Sequence, residues 1–163
     1  TKRAEGNYIN GQRQGEVTYF YETGEVLLTQ IYTDDKENGL RKQFYKNGKL
    51  KEIGFQKQSI QDSVWAFYNS DGVLEKKVTY EKNRRKHLVE FYPNGKIKSE
   101  GSFTQIKAPP QKEKPIKQHT TRRTTKRSGS LTVKNGEWTY FDNKGNIVKK
   151  ETYSNGKLTK NGM

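Results

Sequence analysis

Catalytic and metal chemistry have little to draw on in this 163-residue chain, which has no Cys and only two His, His87 and His119. Without Cys there is no disulfide, thiolate nucleophile or thiolate ligand, and the two His stand too far apart for a His-x-x-His or Glu-x-x-His grouping. The Ser residues fall in neither a strained nucleophile elbow nor a triad order, and a Walker-type phosphate loop is missing. Asp34-Asp35 with Glu37 forms a short acidic stretch, but it lacks the spacing of a calcium loop. The chain therefore reads as a non-enzyme with no cofactor, no metal site and no small-molecule substrate.

Apolar residues are also scarce: 29% of the chain is hydrophobic and the mean hydropathy is −1.19. Nothing approaches the roughly 20 apolar residues needed to span a bilayer as a helix. In a chain without internal order such a composition signals disorder. With its single Met at position 163, the chain is expected to be a processed or trimmed product. A removed export signal, or a lipid-bearing Cys ahead of Thr1, would make it a periplasmic or outer-membrane lipoprotein; a trimmed cytoplasmic chain is the other expectation.

What the chain has instead is a ten-residue phrase in five copies: GEVTYFYETG, GLRKQFYKNG, SVWAFYNSDG, KHLVEFYPNG and GEWTYFDNKG, beginning at Gly15, Gly39, Ser63, Lys86 and Gly136. Successive copies start 24, 24, 23 and 50 residues apart, so one long insertion interrupts an otherwise even array. The sixth position is always aromatic (Phe20, Phe44, Tyr68, Phe91, Phe141) and is the candidate repeat core. A Gly closes every phrase (Gly24, Gly48, Gly72, Gly95, Gly145), and two residues later comes Val26, Leu50, Leu74, Ile97 or Ile147. A second aromatic follows at Tyr32, Phe55, Tyr80, Phe103 and Tyr153.

The segments flanking each Gly are short and rich in Val, Ile, Thr, Tyr and Phe, which with Asn-Gly or Asp-Gly between them is a hairpin signature. First strands are predicted near 16–21, 40–45, 63–68, 87–92 and 137–141, and second strands near 25–32, 49–56, 73–80, 96–103 and 146–153. Asn47-Gly48, Asp71-Gly72 and Asn94-Gly95 are the clearest turns. A lone hairpin is marginal in water, so the copies are predicted to pair edge to edge. The fold class is thus all-β: tandem hairpins in one elongated, twisted antiparallel sheet. Residues 1–103 hold a partial repeat and repeats one to four, 104–130 the insertion, and 131–163 repeat five and a second partial repeat, all as one continuous repeat domain. Tyr8-Ile-Asn-Gly11 and Tyr153-Ser-Asn-Gly156 are one connector phrase, and Lys2, Arg3, Lys157 and Lys160 are placed to deter pairing at open sheet edges.

The pattern Gly-x-Trp-x-x-Phe/Tyr…Asn-Gly-Lys-Leu…Tyr…Asn-Gly-Lys, cleanest in GEWTYFDNKGNIVKKETYSNGK, resembles the MORN repeat and in particular its bacterial variant. The resemblance covers five full copies and two fragments. It implies an elongated scaffold that docks partners, often near membranes, and an antitoxin-like neutraliser of a protein toxin as the alternative. The chain departs from the pattern at Arg41, where a large apolar residue is usual, and at Ser63 and Lys86, where Gly is usual.

Charge is the remaining signal. The formal net charge is +14, and residues 104–130 carry eight Lys or Arg against one Glu, with Pro109, Pro110 and Pro115 but no aromatic. An extended or mobile loop is expected there, since the Pro residues oppose regular pairing, with a long ribbon through Ile106 and Ile116 to Lys126 as the alternative. Arg122, Arg123, Lys126 and Arg127 are its candidate partner-binding residues, suited to phosphate, anionic lipid or an acidic protein face; a solvated loop serving solubility is the plainer alternative. Nucleic acid is disfavoured, because neither stacking aromatics nor a recognition helix accompanies the charge. Lys82, Arg84, Arg85 and Lys86 form a second basic patch in a connector. Tyr19, Tyr21, Tyr45, Tyr92 and Tyr140 suit either a sticky binding face or cover for the reverse side of a thin sheet, and Trp65 and Trp138 read as core wedges. The expected partner is a protein, with a membrane protein complex and an anionic lipid surface as the further candidates.

Overall fold

The computed structural model describes residues 3–108 and 129–162. Among them there is no helix. Twelve strands run in chain order through one antiparallel sheet: β1 (Ala4–Ile9), β2 (Gln12–Phe20), β3 (Val26–Thr33), β4 (Lys36–Phe44), β5 (Leu50–Lys57), β6 (Ile60–Tyr68), β7 (Leu74–Glu81), β8 (Arg84–Phe91), β9 (Ile97–Lys107), β10 (Ser130–Phe141), β11 (Ile147–Ser154) and β12 (Lys157–Gly162). Each strand pairs with its sequence neighbours alone, so every contact between elements is local to the array.

Two kinds of turn alternate along the sheet. At one margin, three-residue loops close with Gly in left-handed conformation: Gly24 N–H donates to the Tyr21 carbonyl (3.0 Å) while Tyr21 N–H reaches Glu25 (2.8 Å), and Gly48, Gly72, Gly95 and Gly145 repeat the arrangement. Only the Gly is left-handed, so Asn47, Asp71 and Asn94 are not the first residues of two-residue turns. Those lie at the other margin. Asp34-Asp35, Gln58-Ser59 and Lys82-Asn83 have positive φ at both positions, as do Asn10-Gly11 and Asn155-Gly156, the pattern of type I′ turns. Because these connectors are only two residues long, β4, β6 and β8 begin three or four residues earlier than the sequence predicts.

The first residue of each phrase sits in a bulge. Between Gly6↔Val17 and Asn7↔Gln14 two residues of β2, Gly15 and Glu16, have no opposite number, and Gly136 and Glu137 are extruded from β10 in the same way. Gly15, Gly39 and Gly136 have left-handed φ there, and Ser63 adopts φ 59° in their place. Repeat four omits one residue: between Thr79↔His87 and Tyr80↔Arg85 only Lys86 is extra, and it is not left-handed. The spacing of 23 and the loss of Gly at Lys86 thus have one cause, a shorter bulge.

Alternation along the strands sorts side chains onto two faces. On one face a cross-strand row runs Gly6, Val17, Gln30, Arg41, Gly54, Trp65, Val78, Leu88, Gly101, Trp138 and Glu151. Val17, Trp65, Val78 and Trp138 are fully buried in it. A Cβ on Gly54 would lie 2.0 Å from the Trp65 ring, and one on Gly101 2.2 Å from the Trp138 ring, so each indole lies flat over a bare backbone. Trp65 packs edge-on to Tyr80 (6.4 Å) and Trp138 edge-on to Phe103 (5.2 Å), geometry that aromatic quadrupoles favour. Arg41, the departure in repeat two, stays half-buried by pairing with Glu52 at 3.3 Å.

Phe20, Phe44, Tyr68, Phe91 and Phe141 lie on the opposite face. Each stands directly across from the aliphatic residue that follows its Gly, as in Phe44↔Leu50 and Phe91↔Ile97. They are half-buried, and the fully buried side chains belong to the other face. In repeat two the second aromatic is also displaced. Phe55 is 42% exposed and Gln56 takes the inward position, with its Oε1 unpartnered among the described residues.

Candidate interaction surfaces

Three surfaces gather the side chains capable of contact. The first is the connector margin. Lys82 occupies a left-handed turn position and Arg84, Arg85 and Lys86 open β8, all exposed. Three of them act on one carboxylate: Lys86 Nζ lies 2.8 Å from Glu81, whose carboxyl is held below its usual range by Lys86 first and by Lys82 and Arg84 after it. Arg85 places its guanidinium 5.1 Å over the Phe103 ring. Lys86 and Arg85 thus have partners in contact, and the exposed Lys82 and Arg84 act on Glu81 through their charge alone.

Alongside this patch β9 and β10 run past the other strands. Thr104–Lys107 pair with Ser130–Val133, and Ala108 N–H donates to Gly129 at 2.8 Å. The two ends of the basic segment are thus a ladder rising from the connector margin. Arg122, Arg123, Lys126 and Arg127 lie outside the described residues.

The second surface is a pair of cation–tyrosine clusters at equivalent places in repeats one and five. Arg13 stacks 4.1 Å over Tyr32, donates to the Tyr19 hydroxyl at 3.2 Å and binds Asp35 at 2.8 Å; the two tyrosine hydroxyls are 3.0 Å apart. In repeat five Lys134 takes the place of Arg13, 4.1 Å from the Trp138 ring and 4.8 Å from the Tyr153 ring, and donates to Tyr140 at 2.8 Å. Glu151 occupies the buried row and accepts from Tyr140 (2.6 Å), Tyr153 (2.8 Å) and Lys149 (2.6 Å). The Lys149 ammonium and the two phenols draw the Glu151 carboxyl down to about 2, while burial and Glu151 push the Tyr140 phenol up. In these clusters Tyr19 and Tyr140 are spent on internal bonds.

Tyr21, Tyr45 and Tyr92 are committed as well. Each hydroxyl donates at 2.8 Å to the sixth-position carbonyl of the next repeat, at Phe44, Tyr68 and Phe141. In Tyr45-x-Asn47-Gly48-Lys49 the Asn and Lys also reach carbonyls of the next turn, Ser70 and Asp71, and Asn94 and Lys96 do the same to Asn143 and Lys144. Repeats three and five replace the Tyr by Asn69 and Asp142, which accept from backbone N–H groups of their own turn. Repeats one, two and four therefore clasp the repeat that follows, and repeats three and five are clasped without a Tyr of their own. Tyr as against Asn or Asp at the seventh position was the signal for this in the sequence.

The third surface is the face carrying Phe44 and Phe55, with ten large apolar side chains exposed over the whole sheet. At the margin of the Gly turns, Val73, Leu74 and Phe91 line a shallow concavity together with Glu75, Lys76, Glu90 and Lys98. Among the described residues no three His, Asp or Glu side chains converge as metal ligands would, and no helix is long and apolar enough to cross a membrane.

Comparison with known families gives four matches to the MORN repeat variant, at residues 13–34, 37–58, 87–105 and 134–155. Each match spans a Gly turn and a second strand, and all but the one at 87–105 also include the bulge at the start of the phrase. Repeat three, where Ser63 replaces the bulge Gly, is passed over. No curated protein matches the chain. Repeats of this family are generally associated with protein or membrane-lipid interaction and are typically non-catalytic. With the matches covering more than half of its residues, this chain belongs to the MORN repeat variant family.

Proposed function

We propose that the chain is a non-enzymatic interaction scaffold that docks a protein partner on its repeat sheet, with the basic segment 104–130 as a second contact. The single layer of twelve strands carries this reading. A one-layer sheet presents both faces along its whole length, giving much surface per residue and little enclosed volume, which suits contact with a macromolecule better than enclosure of a small ligand. The cell envelope, as part of a membrane-associated complex, is the setting that the family resemblance supports.

Affinity capture from the native source in mild detergent, with the intact chain and with one lacking residues 104–130, tests the proposal. Envelope proteins recovered in fixed stoichiometry by both chains support a scaffold working through the sheet. Recovery of a small acidic soluble protein instead favours neutralisation of a toxin. The charge concentrated in residues 104–130 favours a second reading, binding to anionic lipid, which predicts binding that falls steeply with salt and disappears with the segment.

A further inference from the structure

We infer that repeats two and three carry a docking site for an acidic, amphipathic segment of a partner protein, centred on Leu40, Phe55 and Val64. The inference rests on the scaffold reading above and names the surface and the chemistry of its occupant. Leu40 and Phe55 are directly opposed on β4 and β5, and Val64 lies on the same face of β6, across the bulge. They are 37%, 42% and 51% exposed, with Ile60 at 41% beside them, and half-buried Ile53 and Ala66 form an opposed pair behind them. Apolar side chains so exposed on neighbouring strands form a contiguous patch.

The fold does not require this patch. Where repeat two has Leu40, repeats one, four and five have Glu16, His87 and Glu137, and where it has Phe55, repeats three to five have Thr79, Ser102 and Thr152. Those repeats make the same hairpins with polar side chains, so the apolar choice in repeats two and three answers to something other than sheet formation.

Charge selects the occupant. Lys42 opposes Ile53, Lys77 opposes Ala66, Lys57 opposes Ile60, and Lys36 stands at the start of β4. None of the four forms an ion pair among the described residues, although the Lys77 ammonium lies 5.8 Å over the Phe91 ring, whereas Arg13, Arg41, Lys86, Lys149 and Lys150 all do. Asp62, opposite Phe55, and Glu81, two residues along β7 from the Thr79 that faces Val64, are carboxylates of this face beside the patch, and Glu81 is already paired with Lys86 at 2.8 Å. An apolar centre with unpaired lysines around it complements aliphatic or aromatic side chains flanked by Asp or Glu. With 37%, 42% and 51% of Leu40, Phe55 and Val64 exposed, the patch leaves apolar area on three adjacent strands for one protein segment to cover.

Selection of random short peptides displayed on phage, with the intact chain as bait, tests this directly. The selected peptides are expected to combine apolar residues with Asp or Glu. They should bind at least about tenfold more weakly to a Leu40→Glu, Phe55→Thr, Val64→Glu variant, and also to a Lys42→Gln, Lys57→Gln, Lys77→Gln variant. The first variant uses side chains that other repeats already carry at these places, and circular dichroism confirms that it folds. Peptides that are neutral or basic, or that bind the first variant undiminished, overturn the site while leaving a scaffold acting elsewhere. Phosphatidylglycerol vesicles that bind the intact chain and not the first variant, with no peptide enriched, overturn it in favour of a membrane.

Discussion

Ser63 shows how much a single backbone position carries in this array. It holds φ 59° at a bulge where Gly15, Gly39 and Gly136 serve in repeats one, two and five, and a side chain in that region costs roughly 1–2 kcal/mol. Part of this would be offset in a Gly variant by the greater freedom of its unfolded chain. Ser63→Gly is therefore expected to raise stability by about 0.5–1 kcal/mol, read as a higher urea midpoint at unchanged slope. Glu151 gives a prediction of opposite kind. Its folded carboxyl lies near 2 because Lys149, Tyr140 and Tyr153 bind the charged form. A depressed carboxyl contributes stability that is complete above its unfolded value and lost as pH falls through the folded one. Acid unfolding between pH values of about 4.5 and 2 should thus be shallower in Glu151→Gln than in the parent, as followed by Trp fluorescence.

At the scale of the element, the turns separate what was legible in the sequence from what was not. The five Gly loops could be read because Gly recurs at fixed spacing before an aliphatic residue, and the strands beside them fall where the pattern puts them. Most of the connector turns could not. Asn10-Gly11 and Asn155-Gly156 carry the sequence signal of a type I′ turn, but Asp34-Asp35, Gln58-Ser59 and Lys82-Asn83 hold the same geometry without Gly, imposed by the pairing of the strands on either side. The seventh-position Tyr residues were visible as a row, but their hydrogen bonds run to carbonyls one repeat away and follow only from the register. Of the candidate site, the basic patch at Lys82–Lys86 was legible as a charge cluster, while the apolar patch was hidden because Leu40, Phe55 and Val64 lie on three strands and look like ordinary sheet residues.

The clasp from repeat four to repeat five bears on the insertion. Tyr92 reaches Phe141 and Asn94 reaches Asn143 across 49 residues of sequence with the same distances that Tyr45 and Asn47 use over 23. The β9–β10 ladder is complete up to Lys107↔Ser130. Replacement of residues 109–128 by a two-residue Asn-Gly turn should therefore leave the sheet intact, with a thermal midpoint equal to or above that of the parent, since a shorter loop costs less to close. A fall of many degrees, with loss of β-sheet circular dichroism, would mean that the segment supports the array.

At the scale of the whole molecule, the chain solves a shortage of apolar residues by repetition. No repeat buries enough by itself, but each indole or aliphatic side chain of the buried row covers a neighbour's backbone, and eleven successive pairings spread that small burial over one sheet. The layout leaves two long faces with different tasks. One is occupied by Trp65, Trp138 and the cation–tyrosine clusters, which tie strands together; the other keeps Leu40, Phe55, Val64 and unpaired lysines available. Photo-crosslinking in the native source tests this division most directly, with a crosslinking amino acid placed singly at Leu40, Val64 and Lys77 on one face and at Glu52, Lys76 and Lys149 on the other. The account predicts adducts to one partner protein at all three positions of the first face and none at the second. Adducts confined to the second face, or none at either, would contradict it.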